Sequence, residues 1–487
     1  MSITAALGSA LTGLSATSRQ AEILSSNVAN ATTPGYARRE VGLRAAILAD
    51  NGQGVAITGI TRDVDRQLLA ERRLAQAGDG DRAIRADFLA SVERSVGTAD
   101  SAGSLAARVD SLDQALIAAA GRPESEARLA TVASTVRSLI TGLGSATDDI
   151  QNARTSADRQ IADQVGTLNG TLAQLERLND SLLAFTGAGR DVSALLDERQ
   201  RLVDTLSSIV PIREVPRDMN QIALYTTGGA PLLDGKPSVF GFTPTRLITA
   251  EMTQASGGLS GITINGRPYD TAGTGSPILG GTLGAQFAVR DELAVAAQGK
   301  LDAIARDLVE RFSATGLDST IAAGAPGLFT DRGTAFLPTN EIGLAERLEM
   351  NAAADPTQGG ALFRLRDGLG AATAGPPGNG TFLTSLHQAL TVAQQLTSTG
   401  FILGNRDFAT LTADILADTA TLRLSAQSEQ SFASGRLTAL TDVEAQNGID
   451  TDQEMQQLLI IEKNYSANAR VIQTVSDMID TLLRLGA

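Results

Sequence analysis

The sequence predicts a mainly α-helical protein: a long helical bundle or coiled-coil body formed by both chain ends, with an inserted β-rich domain. Three observations predict it. Apolar residues make up 43% of the 487 and aromatic residues only 3%, with no Trp. Such a core is built of Leu, Ile, Val and Ala, which suits helix-on-helix packing better than a large β-sandwich. Apolar side chains recur at steps of three and four at both ends of the chain, the rhythm of a coiled coil. Between residues 211 and 283 Gly, Pro and Thr rise instead, with turn chemistry between short apolar runs.

The first periodic stretch sets Leu7, Leu11, Leu14, Ser18, Ala21, Ser25 and Val28 on one seam. The seam is rich in small residues, so a partner helix can approach closely. Asn27 and Asn30 lie at its end, and "ATTPGY" stops it. Pro34 disfavours helical geometry at Thr33, and Gly35 frees the turn before Tyr36. Residues 41–60 read as short strands around an Asn-Gly turn, and a helix resumes near Asp63. From Asp81 to about Val210 the pattern is helical, broken at "GTADSAG", "GRPESE" and "TGAGRD". In 211–283, "IALYTTGGAPLLDGK" and "GITINGRPYDT" read as hairpins, the second with an Asn-Gly turn. Helix returns over 284–314. Residues 315–380 are punctuated by Gly and Pro, and long helices follow to about Gln446.

The last helix has the clearest period. Leu458, Ile461, Tyr465, Asn468, Ile472, Val475, Ile479 and Leu482 step by three and four without a slip, and Asn468 is the lone amide among them. An amide at such a position fixes register at some cost in stability. The chain therefore divides into 1–60, a terminal helix and turn region that pairs with 450–487; 61–210, helical body; 211–283, an inserted β-rich outer domain; 284–314, the body's return; 315–380, a small irregular module; 381–449, helical body; and 450–487, the C-terminal helix. Neither terminal helix has a covering neighbour in sequence, and isolated helices are marginal in water. They are expected to pair with each other, with other subunits or with both, and to be disordered in the free subunit.

The chemistry is sparse. The formal charge of −14 and the lack of any basic run argue against nucleic acid. No run of about 18 apolar residues occurs, so no membrane insertion is expected, and the uncharged first 18 residues lack the layout of a secretory leader. There is no Cys and one His, His387, which leaves little for thiolate or imidazole metal sites. No phosphate loop, dinucleotide fingerprint or nucleophile elbow is present. The acidic pairs Asp148–Asp149 and Asp197–Glu198 lie in mixed-charge helical segments and read as solvated faces. No catalytic, metal or cofactor residue is assigned, and a non-enzyme is expected.

"SSNVANATTPGYARREV" resembles the N-terminal signature of bacterial flagellar axial proteins, and "EMQQLLIIEKNYSANARVIQTVSDMIDTLLRL" resembles their C-terminal helix. "DVSALLDERQRLVDTLSSIVPIREV" and "GGTLGAQFAVRDEL" are similar to the hook-associated protein 1 family, the first hook–filament junction proteins. The resemblance covers residues 1–314 and 381–487. It implies a structural adaptor exported unfolded through the flagellar type III apparatus, with a chaperone gripping the C-terminal helix. Implied partners are further copies of itself in a ring-like homo-oligomer, the hook protein and the second hook-associated junction protein. The implied place is the extracellular hook–filament junction. The assembly interface it implies comprises Leu7, Leu11, Leu14, Asn27, Val28, Asn30, Pro34, Gly35 and Tyr36, together with Leu458, Ile461, Tyr465, Asn468, Ile472, Val475, Ile479 and Leu482. Two alternatives stand beside it: another axial protein, either hook protein or second junction protein, and a secreted cell-wall hydrolase using an acidic pair.

Overall fold

The structure, a computed structural model, describes residues 3–48, 51–98, 100–273, 275–398 and 404–485. The terminal helices are α1 (Ile3–Ala29) and α12 (Thr451–Leu485), which pack antiparallel on each other. Gly13 faces Asn468 and Asn27 faces Glu454, one register along the whole pair. A Cβ on Gly13 would lie 2.9 Å from the Asn468 amide nitrogen. The missing side chain is what lets the two helices close there. Beyond α1, Pro34–Gly35 form the predicted break: the Tyr36 N–H bonds the Thr33 carbonyl at 3.2 Å, and Gly35 has φ of 81°. A turn with Pro then Gly at its centre requires that positive φ.

Strands β1 (Arg39–Leu48) and β2 (Asn51–Arg62) pair antiparallel and lie against α1, where the Val55 N–H donates to Thr12 Oγ1 at 3.2 Å. The Asn-Gly turn expected here is displaced. Leu48 pairs with Asn51 and Ile47 with Gly52, so both turn residues belong to β2, and residues 49–50 lie outside the described residues. The expected pairing of the two terminal helices is found within the single chain: α12 packs on α1, and α1 packs on the hairpin as well.

The body is built on α2 (Arg66–Val96) and α11 (Phe408–Gln446), which run antiparallel and are tied by Arg423–Glu93, Arg82–Glu429 and Arg72–Glu444. Asp65 caps α2 by accepting from the Gln67 and Leu68 N–H groups. Helices α3 (Leu105–Gly121), α4 (Glu126–Gly187) and α5 (Ser193–Ile209) follow, with breaks at the three predicted segments, displaced by a residue or two at two of them. At 62 residues α4 is ~93 Å long for a rise of 1.5 Å per residue.

From Leu129 to Ala157, α4 is buried in a core with the end of α2, α3, α7 (Ala294–Phe312), α10 (Thr381–Thr391) and the start of α11. Residues of the 315–380 segment enter this same core: Phe329 on β10 (Phe329–Asp331), Leu344 on α8 (Leu344–Arg347), Leu348 and Met350 on β11 (Leu348–Met350), and Leu365 on α9 (Arg364–Asp367). Asp302 of α7 holds the segment by accepting the Gly343 and Ala345 N–H groups at 2.8 and 3.0 Å, and burial pushes its carboxyl up to about 6.

Past Ile161, α4 enters a second core with α5 and α6 (Gly281–Ala288). Over it lie two small sheets. One has the order β3 (Ile212–Pro216), β4 (Ile222–Thr226), β5 (Pro231–Asp234), β6 (Lys236–Pro237); the other β7 (Phe240–Gly241), β8 (Ile262–Ile264), β9 (Arg267–Tyr269). Asn265 and Gly266, both at positive φ, form the predicted two-residue turn between β8 and β9. The inserted β-rich segment expected over 211–283 is present, but it is neither a separate unit nor the part of the molecule farthest from the terminal helices. The strands have no separate core, because Ile222, Leu224, Phe240 and Ile262 share one with Leu168, Leu172 and Leu206 of the helices. The segment also sits beside the start of α2, where Glu214 pairs with Arg73 at 2.9 Å. The end away from the terminal helices is formed by α3, α10 and residues 315–380.

Where the two cores meet, α6 and α7 join through a π-helical turn, Val289–Leu293. Arg290 in that turn is buried, paired with Asp158 of α4 at 2.6 Å and with Asp291 at 2.8 Å, between the rings of Phe242 and Phe287. Arg154, also buried, donates to the carbonyls of Arg290, Thr249 and Met252. Buried charge is tolerated when partners meet it in this way.

Candidate assembly interface

The terminal pair is fastened at its root by Asn27, which is fully buried. Its Nδ2 donates to the Arg39 carbonyl (2.9 Å) and to Glu454 Oε2 (3.1 Å); its Oδ1 accepts from the Arg39 N–H and the Tyr36 hydroxyl, both at 3.1 Å. One amide thus ties α1, the Pro-Gly turn, β1 and α12 together. Arg38 Nε meets the other oxygen of the buried Glu454 at 2.6 Å, and that bond raises the Arg38 pKa above its ordinary value. Asn30, one turn on, closes the end of α1 by donating to the Ser26 carbonyl at 2.9 Å.

The same root is anchored to the body by Asp197 of α5. Its carboxylate takes the guanidinium groups of Arg39 and Arg62, the latter at 2.7 Å, and the Ala37 N–H at 3.3 Å. Arg39 also stacks over the Tyr36 ring at 4.5 Å. Burial lowers the Arg62 pKa, and Asp197 opposes that shift. Asp197 is therefore no solvated face residue, whereas its neighbour Glu198 is exposed to solvent and pairs with Arg201 three residues on. Sequence offered no signal for Asp197, because its partners lie at least 135 residues away along the chain.

Along the seam the predicted residues separate. On α12, Ile461 and Val475 are buried, and Leu458, Asn468 and Ile472 are half-buried. Tyr465, Ile479 and Leu482 face out, and so do Met455, Leu459, Ile460, Val471, Met478 and Leu483, which periodicity alone did not select. On α1 the inward face is displaced from the predicted one. Ala10, Ala16, Thr17, Ile23, Leu24 and Asn27 are buried, Leu7, Leu14 and Val28 half-buried, and Leu11 is 50% exposed. Pro34 is exposed, and Gly35 and Tyr36 are half-buried. Leu11, Leu14, Ile57 and Tyr465 line an open groove of about 500 Å³ between α1, β2 and α12. The antiparallel register also carries α12 past the start of α1, so Ile479, Leu482 and Leu483 have no described residue of α1 opposite them.

Protection against amide exchange is expected to fall along α12. Residues 454–461, held by Asn27 and by burial, should exchange much more slowly than residues 478–485 in dilute monomer. Uniform protection would show that the tip has a partner this structure lacks; uniform exchange would show that the root does not hold.

Elsewhere the chemistry is unremarkable. Asp148 and Asp149 are exposed, Ser95 bonding the latter at 2.7 Å, and His387 pairs with Asp113 at 2.9 Å on the surface of α10. Among the described residues no group of three or more His, Asp or Glu is placed to hold a metal, and no helix is long and apolar enough to cross a membrane.

Three family models match the chain: the flagellar hook-associated protein FlgK helical domain over residues 89–328, the flagellar basal body rod FlgEFG protein C-terminal region over 445–485, and the flagella basal body rod protein over 7–36. The flagellar hook-associated protein 1 of Salmonella typhimurium is 24% identical over 265 residues, 51% of this chain and 47% of that protein. Its namesake in Bacillus subtilis is 26% identical over 219 residues, 42% of this chain and 43% of that one. The chain spans about half the length of the curated relatives it matches. The flagellar hook junction protein FlgK from Burkholderia pseudomallei is similar at 19% identity and a TM-score of 0.41, over 54% of this chain and 46% of that one. With the body matched by the helical-domain model and each end by a rod-protein model, the chain matches the flagellar hook-associated protein 1 family.

Proposed function

We propose that this protein is a structural adaptor of the bacterial flagellum, joining hook to filament at the extracellular junction and polymerising through its terminal helices. The observation that carries the reading is the apolar surface that α1 leaves uncovered on α12, from Met455 to Leu483, beside the groove at Leu11 and Tyr465. Contiguous apolar surface of this kind marks a contact with another chain. In the proposed junction the predicted residues on both helices contribute to contacts between copies, to the pairing within each copy, or to both. The hook protein lies below, the second hook-associated junction protein above, and an export chaperone covers α12 before type III export. The protein has no catalytic role and takes no cofactor.

The test is complementation of a flagellated strain that lacks its own copy. The full chain is expected to restore filaments, where the parent strain makes bare hooks and spills flagellin into the medium. Neither buried core takes a residue from α12. A chain lacking residues 451–487 is therefore expected to keep a cooperatively folded, soluble body and yet fail to join the junction. Filaments restored by that truncated chain would overturn the reading. Muropeptide release from peptidoglycan by the purified protein would favour the hydrolase instead.

A further inference from the structure

Five asparagines in the chain are followed by glycine: Asn51, Asn169, Asn265, Asn379 and Asn447. Such a pair is open to spontaneous loss of the side-chain amide. Glycine has no Cβ to shield its nitrogen, so that nitrogen can reach the side-chain carbonyl of the asparagine and close a five-membered ring. Closure requires an asparagine side chain that is free to turn and a glycine N–H that can leave its own hydrogen bond. Folding sets both conditions, and it sets them differently along this chain.

Three of the side chains are held. Asn169, within α4, grips the Phe240 main chain, donating to its carbonyl at 2.8 Å and accepting its N–H at 2.9 Å. Asn265 accepts the Val239 N–H at 2.8 Å and donates to Ser238 Oγ at 3.2 Å. Asn379 accepts the Thr381 N–H at 3.2 Å, and a Cβ on Gly380 would stand 3.0 Å from the Ala120 carbonyl oxygen. The backbone of Asn51 and Gly52 is paired in the β1–β2 ladder. Asn447 differs from all of these. It opens the short link between α11 and α12, it and Gly448 are exposed, and its side chain makes no hydrogen bond among the described residues. The Gly448 N–H has one bond to give up, to the Ala445 carbonyl at 3.1 Å.

We propose that Asn447 is a site of spontaneous deamidation, a covalent modification of the one main-chain link between the body and α12. The Gly448 nitrogen attacks Cγ of Asn447. The N–Cγ bond forms, the Cγ–Nδ2 bond breaks, and Nδ2 leaves as ammonia with the proton that the Gly448 nitrogen gives up. Water then opens the cyclic imide at either carbonyl. Opening at Cγ leaves an aspartate on an unaltered main chain. Opening at the main-chain carbonyl leaves an isoaspartate, whose main chain runs through Cβ and Cγ and is one methylene longer. Either product adds a negative charge at the C-terminal end of α11, where the helix dipole disfavours it. The link has little slack for the added length. Arg72 holds Glu444 before it, and Asp450 after it caps α12 by accepting the Asp452 and Gln453 N–H groups. The isoaspartate therefore loosens the start of α12. Nothing in this chemistry requires the chain to polymerise.

The full chain, aged in warm, mildly alkaline buffer made with heavy-oxygen water, is read by peptide mapping that locates the label and separates aspartate from isoaspartate. Asn447 is expected to convert first among the four exposed or side-chain-held sites, with both products present. Asn169, Asn265 and Asn379 should each lag by about tenfold, the effect of an extra hydrogen bond to break. In denaturant the four rates should converge, because the fold and not the neighbouring residues separates them. Gly448→Ala, whose methyl group hinders the attack, should suppress conversion at Asn447 and leave Asn265 unchanged. The isoaspartyl form, once separated, should exchange its amides over residues 451–454 faster than fresh chain does. The proposal falls if Asn169, Asn265 or Asn379 converts as fast as Asn447 in the folded chain, or if the same order persists in denaturant. Equal exchange in the isoaspartyl and fresh forms would overturn the loosening of α12.

Discussion

Replacing residues 211–283 by a short Gly/Ser linker is expected to unfold much of the body. The strands are the lid on a core whose floor is helical, so their removal bares Leu168, Leu172, Leu175, Leu206 and Phe287, each now at most 1% exposed. At roughly 1.5–3 kcal/mol per fully buried large side chain, five of them amount to about 10 kcal/mol. That is as large as the whole stability of a typical domain, about 5–15 kcal/mol. Polar losses add to it: Arg154 forfeits the Thr249 and Met252 carbonyls, Asp158 the Thr245 N–H, and Asn179 the backbone of Ile222. The variant should be aggregated or expanded by sedimentation and should lose its cooperative thermal transition by circular dichroism. A linker variant that melts near the parent temperature would mean that the strands are dispensable after all.

Asn27→Leu keeps the side-chain size and discards four hydrogen bonds, and it is expected to release the terminal pair at its root. The Arg39 N–H and carbonyl lose a buried partner, and Glu454 keeps only Arg38. Each unsatisfied buried group costs about 1–3 kcal/mol, so local opening should become easier by about 3–5 kcal/mol in sum. Native-state amide exchange on residues 451–461 reads that quantity, while denaturant unfolding of the body should barely move, since neither core includes α12. Asn27→Asp separates chemistry from shape. It sets a carboxylate against Glu454 and should be at least as disruptive at neutral pH. If Asn27→Leu protects the root as well as asparagine does, packing and not the amide fastens it.

Much of the architecture was legible in the sequence. Gly and Pro clusters marked the helix breaks, the period of three and four marked α12, and the Asn-Gly pair at 265–266 marked its hairpin. The inward face of α1 was not legible, for a physical reason. Periodicity tells that a helix has a buried stripe, but α1 has two neighbours, α12 on one side and the hairpin on another. Its closest approach uses Gly13, which a count of large apolar residues passes over. Asp197 was hidden for a different reason, because a run such as "DERQR" reads as solvated until distant arginines arrive. Arg154 and Arg290 were hidden likewise: a buried charge is recognisable only from the carbonyls and carboxylates that surround it. The position of the β-rich segment depended on which face of α4 and α5 it covers, and composition carries no such information.

The length of α4 has a mechanical consequence. A part that couples a turning hook to a filament has to pass twist and bending load without yielding between its own halves. Here no loop separates the two cores along α4, which runs unbroken from Leu129 in one to Leu175 in the other. The α6–α7 helix crosses the same level, and Arg290 on it is braced to Asp158 on α4. Turning one half against the other therefore means shearing neighbouring helices and breaking a buried ion pair, rather than flexing a hinge. In the proposed junction each subunit would behave as a stiff spoke, and compliance would lie between subunits.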